Sequence, residues 1–413
     1  MPPKRVLLSA FACDPYFGSD EEVGWQWARE LSSRGFDVTV LTRASHRNDI
    51  EKGIREFEKC EGVRFEYLDI GWLHRILKRV NRRNHIYYYA WQVLAFFRAR
   101  QLHKQLQFDL IHHVTWVSFR QPSFMGLVGA PFYFGPVAGG DEIPQGYTQD
   151  FSPKQKLLEA VRRFANSLIR FDPFMRLTFA TADRVFFTSE GHLPRVPSSA
   201  LAKSSIELAI GCDLQLEEGA LPVVPRIARG DRLLFVGRCI GWKGMDIGLR
   251  IFAEVRKQRP AATLTIIGDG VDRARWMAQA NALGLSDAIE WRGWLAKADV
   301  QKLYSQFDAL FYPSLRDSGG FVVLEALQNG LPVVCFRLGG PGVIVDASCG
   351  QAVVAGSNLD ETVDRYAEAV IRVLSLSAAS HDWTSQCRKR VEKFTWESLI
   401  QRIYPRSLEQ GSK

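Results

Sequence analysis

Long apolar runs are missing from this chain: no stretch of its 413 residues approaches the ~18–20 apolar side chains that a membrane-spanning helix needs. Cysteine is sparse. The seven cysteines are odd in number and show neither a C-x-x-C pair nor metal-like spacing. That excludes a disulfide framework and predicts reduced thiols in a reducing compartment. No Asp-x-Asp pair stands at a strand end and no His/Cys cluster has ligand spacing, so no metal ion is implied. Short-period repeats and low-complexity tracts are also missing. With 46% apolar and 24% charged residues, disordered and fibrous classes are set aside. Met1-Pro2-Pro3-Lys4-Arg5 followed by Val6-Leu7-Leu8-Ser9-Ala10 has the outline of a signal peptide. The run stops at Cys13-Asp14-Pro15, ahead of a helix pattern that needs it as a first strand, so it reads as structure and a cytoplasmic protein is expected.

What is present is a basic chain long enough for two cores. A length of 413 residues favours two domains, and a net charge of +8 with pI near 9.1 favours an anionic partner. Nucleic acid, a membrane surface and a phosphorylated small molecule all fit that charge. Strand-like and helix-like segments alternate through the first half. Val6–Ala10, Val38–Leu41, Leu110–Val114, Phe132–Phe134 and Arg184–Thr188 have the short apolar form of buried parallel strands. Val23–Ser33 reads as a helix with Val23, Trp27 and Leu31 on one face, stopped by Gly35. A doubly wound domain over residues 1–205 is expected.

Both periodicities fade within 206–230, and from Glu217 to Gly230 two prolines mark a linker. Alternation then resumes, giving a second α/β domain over 231–385. Its expected strands are Arg232–Val236, Thr263–Ile267, Ala288–Trp291, Asp308–Tyr312 and Pro332–Phe336. A final helical segment within 386–413 is expected to cross back to the first domain. The architecture predicted is two parallel α/β domains facing a cleft.

Three motifs of the second domain fall at strand ends, where open α/β sheets bind ligands. Gly237-Arg238 through Lys243-Gly244 follows the first strand, and two cations five residues apart in a glycine loop can pinch a diphosphate from two sides. Gly268-Asp269-Gly270 follows the second strand. The third motif, Arg316-Asp317-Ser318-Gly319-Gly320 running into the amphipathic Phe321–Leu327, places a glycine turn before a helix whose N-terminal amides attract phosphate. Glu325 lies about one turn into that helix, in reach of a ribose attached to such a phosphate, while Asp317 in the turn can accept from sugar hydroxyls. As surface groups, Glu325 and the two cations would be plain solvated charges, but their coincidence with the glycine turn favours a site. In the first half, Phe17-Gly18-Ser19-Asp20 is another loop at a helix start, His112 and His113 end a strand, and Gly135–Glu142 is a further glycine-rich strand exit.

These residues resemble, over nearly the whole chain, the retaining glycosyltransferases of family 4, which have the GT-B fold of two Rossmann-like doubly wound domains. Gly237-Arg238 and Lys243-Gly244 match the family's Gly-Arg-x-x-x-x-Lys-Gly. The run Asp317 to Glu325-Ala326, followed by Gly330-Leu331-Pro332-Val333, matches its Glu, seven residues, Glu motif and following turn, with Asp317 in place of the first Glu. The resemblance implies a catalytic set of Asp317, His113, Arg238 and Lys243. It implies donor binding by Gly237, Arg238, Lys243, by the amides of Gly319, Gly320 and Phe321, by Glu325 on the ribose, and by Gly293 and Trp294 near the base. Gly18 and Ser19 match the loop beside the diphosphate and acceptor.

The resemblance also implies the chemistry. A nucleotide-sugar serves as co-substrate, no cofactor or metal takes part, and the sugar passes with retention to an acceptor hydroxyl, saccharide or lipid-linked, in polysaccharide or glycolipid synthesis. The departing phosphate takes the acceptor's proton, and the positive pair with the helix N-terminus meets the leaving-group charge. Two basic stretches, Trp72–Arg83 and Lys154–Arg170, mark an anionic membrane surface as a candidate partner, with a solvated basic face as the alternative. No nucleic-acid motif accompanies them. Two rival functions keep the same donor site: a nucleotide-sugar epimerase of this architecture, which needs no acceptor, and a non-catalytic nucleotide-sugar-binding protein.

Overall fold

The computed structural model describes residues 4–16, 21–57, 60, 62–71, 85–144, 146–213, 231–379 and 382–405. Gly18, Ser19, most of the 206–230 linker and the basic stretch Trp72–Arg83 therefore lie outside the described residues. The chain forms two units by contact: Met1–Gly140, Phe164–Gly211 and Trp396–Lys413 make one, and Asp141–Arg163 with Cys212–Thr395 the other. Residues 141–163, inside the stretch expected for the first domain, thus group with the second unit, and Trp396–Lys413 groups with the first.

The first unit is built on a parallel sheet of seven strands: β1 (Arg5–Ala10), β2 (Asp37–Arg43), β3 (Arg64–Leu68), β4 (Leu110–Thr115), β5 (Phe132–Val137), β6 (Arg184–Phe187) and β7 (Ser204–Ile206), in the order β3-β2-β1-β4-β5-β6-β7. β4 and β5 are buried throughout and β1 is buried beyond Arg5, as a sheet covered on both faces requires. The helix Val23–Ser33 buries Val23, Trp27 and Leu31 as its periodicity predicts, and Gly35 follows it in the left-handed region at φ +83°. The helix Trp396–Ile403 buries Leu399, Ile400 and Ile403, and Tyr404 beyond it reaches His112 at 2.6 Å.

A second parallel sheet organises the other unit: β8 (Arg232–Val236), β9 (Thr263–Ile267), β10 (Ile289–Gly293), β11 (Ala309–Tyr312), β12 (Val333–Phe336) and β13 (Gly350–Val353), ordered β10-β9-β8-β11-β12-β13. Strand order reverses between β8 and β11, the kind of position at which open α/β sheets bind ligands. Both doubly wound, Rossmann-like domains expected from the sequence are present. Helix Met245–Gln258 buries Leu249, Ile251, Phe252 and Val255 against this sheet, and helix Leu359–Ala378 buries Tyr366, Val370, Val373 and Leu374. Among the described residues no helix is long and apolar enough to cross a membrane.

Candidate functional site

The loops beyond β8, β9 and β10 are joined through backbone at three glycines. Gly237 N–H donates to Ile267 O at 3.0 Å and Gly268 N–H to Gly293 O at 2.7 Å. A Cβ on Gly268, which sits at φ +140°, would stand 1.9 Å from the Gly237 carbonyl oxygen, so only glycine admits this approach. Across the strand-order reversal, Leu315 N–H donates to Trp242 O at 3.0 Å and joins the β11 loop to the β8 loop. Gly340 N–H donates to Asp317 O at 2.8 Å and brings in the loop after β12. The loops so tied position the cations and carboxylates between them.

Lys243 and Asp317 meet there. The Lys243 Nζ is 2.8 Å from Asp317 Oδ2, both side chains are four-fifths buried, and the hydroxyl of the wholly buried Tyr312 bonds to each of them. The other carboxylate oxygen, Oδ1, accepts from Gly319 N–H and Gly320 N–H, each at 3.1 Å. Burial raises the Asp317 pKa, but the Lys243 charge and hydrogen bond, with those from Tyr312 and Gly320, outweigh it and hold the carboxyl below its usual range. Burial, then the Asp317 charge and hydrogen bond, push the Tyr312 phenol well up, so it stays a neutral donor.

This corrects the expectation that Gly319 and Gly320 offer their amides to a ligand: Asp317 occupies both. The helix Phe321–Gln328 begins after Gly320, whose φ of +74° needs no Cβ. Its first amides, Phe321 and Val322, have no hydrogen bond among the described residues and are the donors left at the helix N-terminus. Val322 was invisible to motif reasoning because only the loop conformation decides which amides Asp317 takes.

The Glu325 carboxylate, about four-fifths buried, accepts from the Tyr304 hydroxyl at 3.1 Å and has the Lys297 ammonium at 3.4 Å. Burial, the Glu325 charge and this hydrogen bond raise the Tyr304 pKa well above the ordinary phenol value. Arg238 is exposed, and its guanidinium has no partner among the described residues. Gly293 ends β10 at φ +68°, and Trp294 beyond it is 75% exposed. Arg316, beside Asp317, is held at 2.7 Å by Glu159 of the helix Pro153–Leu168 and lies over the Trp242 ring at 5.1 Å. Tyr304, Tyr312 and Glu159 were missed by the sequence reading. A hydroxyl closing the apolar segment Ala309–Tyr312 was the only available signal for Tyr312, and Tyr304 carried none.

His113 lies in the first unit, away from these loops in the chain and wholly buried on β4. Its Nε2 is 3.1 Å from the Tyr88 hydroxyl and 3.2 Å from Thr115 O, while its Nδ1 is buried without a partner. Burial lowers its pKa to about 4, so it is neutral at pH 7. The imidazole has no exposed surface. His112, likewise buried, bonds Tyr404 and Gly135 O. Among the described residues no group of three or more His, Cys, Asp or Glu side chains is placed to hold a metal ion.

The arrangement offers the exposed Arg238 cation, the Lys243 ammonium engaged by Asp317, two open helix amides, the Glu325 carboxylate one turn into the same helix and an exposed indole, all at the carboxyl ends of parallel strands. Such a set suits a phosphorylated ligand carrying a sugar. A family model described as "Glycosyl transferases group 1" matches residues 225–390, and one described as "Glycosyl transferase 4-like domain" matches residues 22–196. The chain is 26% identical over 397 residues to a D-inositol 3-phosphate glycosyltransferase of Saccharomonospora viridis, covering 90% of this chain and 84% of that protein. Among solved structures, it is similar to sucrose-phosphate synthase from Thermosynechococcus elongatus, with TM-score 0.61, 19% identity, and 99% and 100% of the two chains covered. It is also similar to Anabaena HepE in complex with UDP, with TM-score 0.58, 15% identity, and 97% and 98% covered.

Proposed function

The chain belongs to the glycosyltransferases of the group 1 and family 4 type, with the GT-B fold, and from that premise we propose that it moves a sugar from a nucleotide-sugar to an acceptor hydroxyl with retention and without a metal ion. The nucleotide-sugar donor follows from the family; the stereochemistry, the metal independence and the residue roles are our reading. The observation that carries them is the grouping of Arg238, Lys243 and the open Phe321 and Val322 amides around one strand-order reversal. In this reading the donor's diphosphate takes the place of Asp317 on Lys243, meets Arg238 from the solvent side and accepts from the helix amides. Glu325, held by Tyr304, accepts from the ribose hydroxyls, and Trp294 stacks on the base.

As the bond between the sugar's anomeric carbon and the β-phosphate oxygen breaks, negative charge grows on the phosphate, where these donors already point. The acceptor oxygen attacks the anomeric carbon on the face the phosphate leaves, and the acceptor's proton passes to that phosphate. Asp317, released from Lys243, accepts from the sugar's hydroxyls. We assign His113 no proton transfer, because its ring has no exposed surface and burial makes it a weak base. Polysaccharide or glycolipid synthesis is the proposed setting.

Incubation with a panel of uridine, guanosine and adenosine diphosphate sugars, with and without saccharide or lipid-linked acceptors, tests this. Acceptor-dependent nucleotide release and a product of unchanged anomeric configuration are expected. Donor conversion without an acceptor would assign an epimerase, and an inverted product would refute retention. Arg238→Ala, at an exposed position, is expected to lower turnover by about 10²-fold or more while leaving the melting temperature unchanged.

A further inference from the structure

Helices of water-soluble domains turn their apolar face inward and their polar face outward. The helix Pro153–Leu168 does the reverse. Its inward side chains are polar: Gln155 donates to Asp272 at 2.7 Å, Glu159 accepts from Arg316 at 2.7 Å, and the wholly buried Asn166 accepts from Arg120 at 2.9 Å. Its outward face is apolar. Leu157, Val161, Phe164 and Leu168 recur at helical spacing and form one stripe, 65%, 56%, 65% and 46% exposed, with Leu158 alongside at 57%. Phe171 and Phe174, just beyond the helix in the chain, are also exposed, at 64% and 52%. Such a stripe is far from the single scattered apolar residues of an ordinary surface.

The charges around it choose the occupant. Lys154, Lys156, Arg170 and Arg176 are exposed, whereas the two acids of this stretch are both engaged. Glu159 faces inward to Arg316, and Asp172 accepts from the amides of Phe174 and Met175 to cap the next helix. We propose that this stripe lies in the headgroup and acyl boundary of an anionic lipid bilayer, with the four exposed cations on its anionic headgroups. A second copy of the chain would bring four like charges against four, which opposes pairing through this face. Because Glu159 holds Arg316, the residue before Asp317, the bilayer-facing helix is one ion pair away from the proposed donor loop. That contact favours a lipid-linked acceptor, a consequence that rests on the transferase reading, whereas the bilayer contact itself does not.

Co-sedimentation of the full chain with vesicles tests the proposal. Binding to phosphatidylcholine vesicles containing about one-third phosphatidylglycerol is expected to exceed binding to pure phosphatidylcholine by about tenfold or more. The double variant Phe164→Gln/Leu168→Gln, altered only at exposed positions, is expected to lose binding by about tenfold or more with unchanged circular dichroism and melting. Lys154→Glu/Lys156→Glu is expected to weaken binding to the anionic vesicles alone. Equal sedimentation of native and Phe164→Gln/Leu168→Gln proteins would overturn the proposal. So would a concentration-dependent dimer that this variant abolishes, in a protein that binds no vesicle. Calorimetric titration of both proteins with uridine, guanosine and adenosine diphosphates reports the donor site separately, so failure of one reading is visible without the other.

Discussion

Asp317→Asn isolates the charge that this structure sets against Lys243. Asparagine keeps an oxygen to accept from Gly319 and Gly320, and as a cap it ranks with aspartate, so the start of the helix is preserved. What is lost is the counter-charge 2.8 Å from an ammonium whose side chain is only 15% exposed. Removing one partner of a fully buried pair costs about 3–5 kcal/mol; discounting for the remaining solvent contact leaves about 2 kcal/mol. For a unit of this size that corresponds to a melting temperature lower by about 4–8 °C.

The same substitution should strengthen diphosphate binding. In the resting protein the ligand has to displace Asp317 from Lys243 and sit beside its negative charge. At an effective dielectric near 20, a like charge some 6–7 Å away opposes the ligand by about 2.5 kcal/mol, which screening reduces to about 1–1.5 kcal/mol, or roughly tenfold in affinity. Calorimetry with uridine, guanosine and adenosine diphosphates, beside thermal melting with and without each, reads both effects. Expected are a less stable free protein, a larger ligand-induced melting shift and slower sugar transfer. An unchanged melting temperature together with unchanged or weaker affinity would refute the idea that Asp317 holds Lys243 in reserve for the diphosphate.

Glu325→Gln removes the charged acceptor proposed for the ribose while keeping the Tyr304 contact, so KM for the donor should rise about tenfold with kcat changed by less than about threefold; a fall in kcat at constant KM would remove that role. His112 and His113 are lowered by burial to about 3 and about 4, so the folded protein keeps them neutral. Their contribution is fully present above the unfolded value near 6.5 and is lost as pH falls toward 4, on the order of 3 kcal/mol for each imidazole. Melting of the first unit should therefore drop between pH 6.5 and 4, and a flat profile there would contradict the buried neutral rings. Treatment with EDTA should leave transfer within about twofold of the untreated rate; a loss of more than about tenfold that Mg²⁺ or Mn²⁺ restores would overturn metal independence.

The strands carrying the site were legible because buried parallel strands write themselves as short apolar runs, as in Leu233–Val236 and Ala309–Tyr312. Edge strand β3 was not: in Arg64–Leu68 no residue is fully buried, so the sequence carries no such run. The helix Pro153–Leu168 shows a clear apolar stripe, but periodicity is blind to whether a stripe faces in or out. Its direction is settled by Gln155, Glu159 and Asn166 finding polar partners at the other side.

The amino-acid order alone determined the two alternating α/β stretches, the placement of Arg238, Lys243, Asp317 and Glu325 at strand exits and helix starts, and the kinship these spacings express. All of that is local, written within a few residues by periodicity and turn chemistry. Tertiary structure decided which groups hold one another: Lys243 with Asp317 across 74 residues, the Gly319 and Gly320 amides given to Asp317 rather than left open, and His113 sealed beneath Tyr88. Such pairings follow from distance and desolvation, which exist only once distant segments share one core.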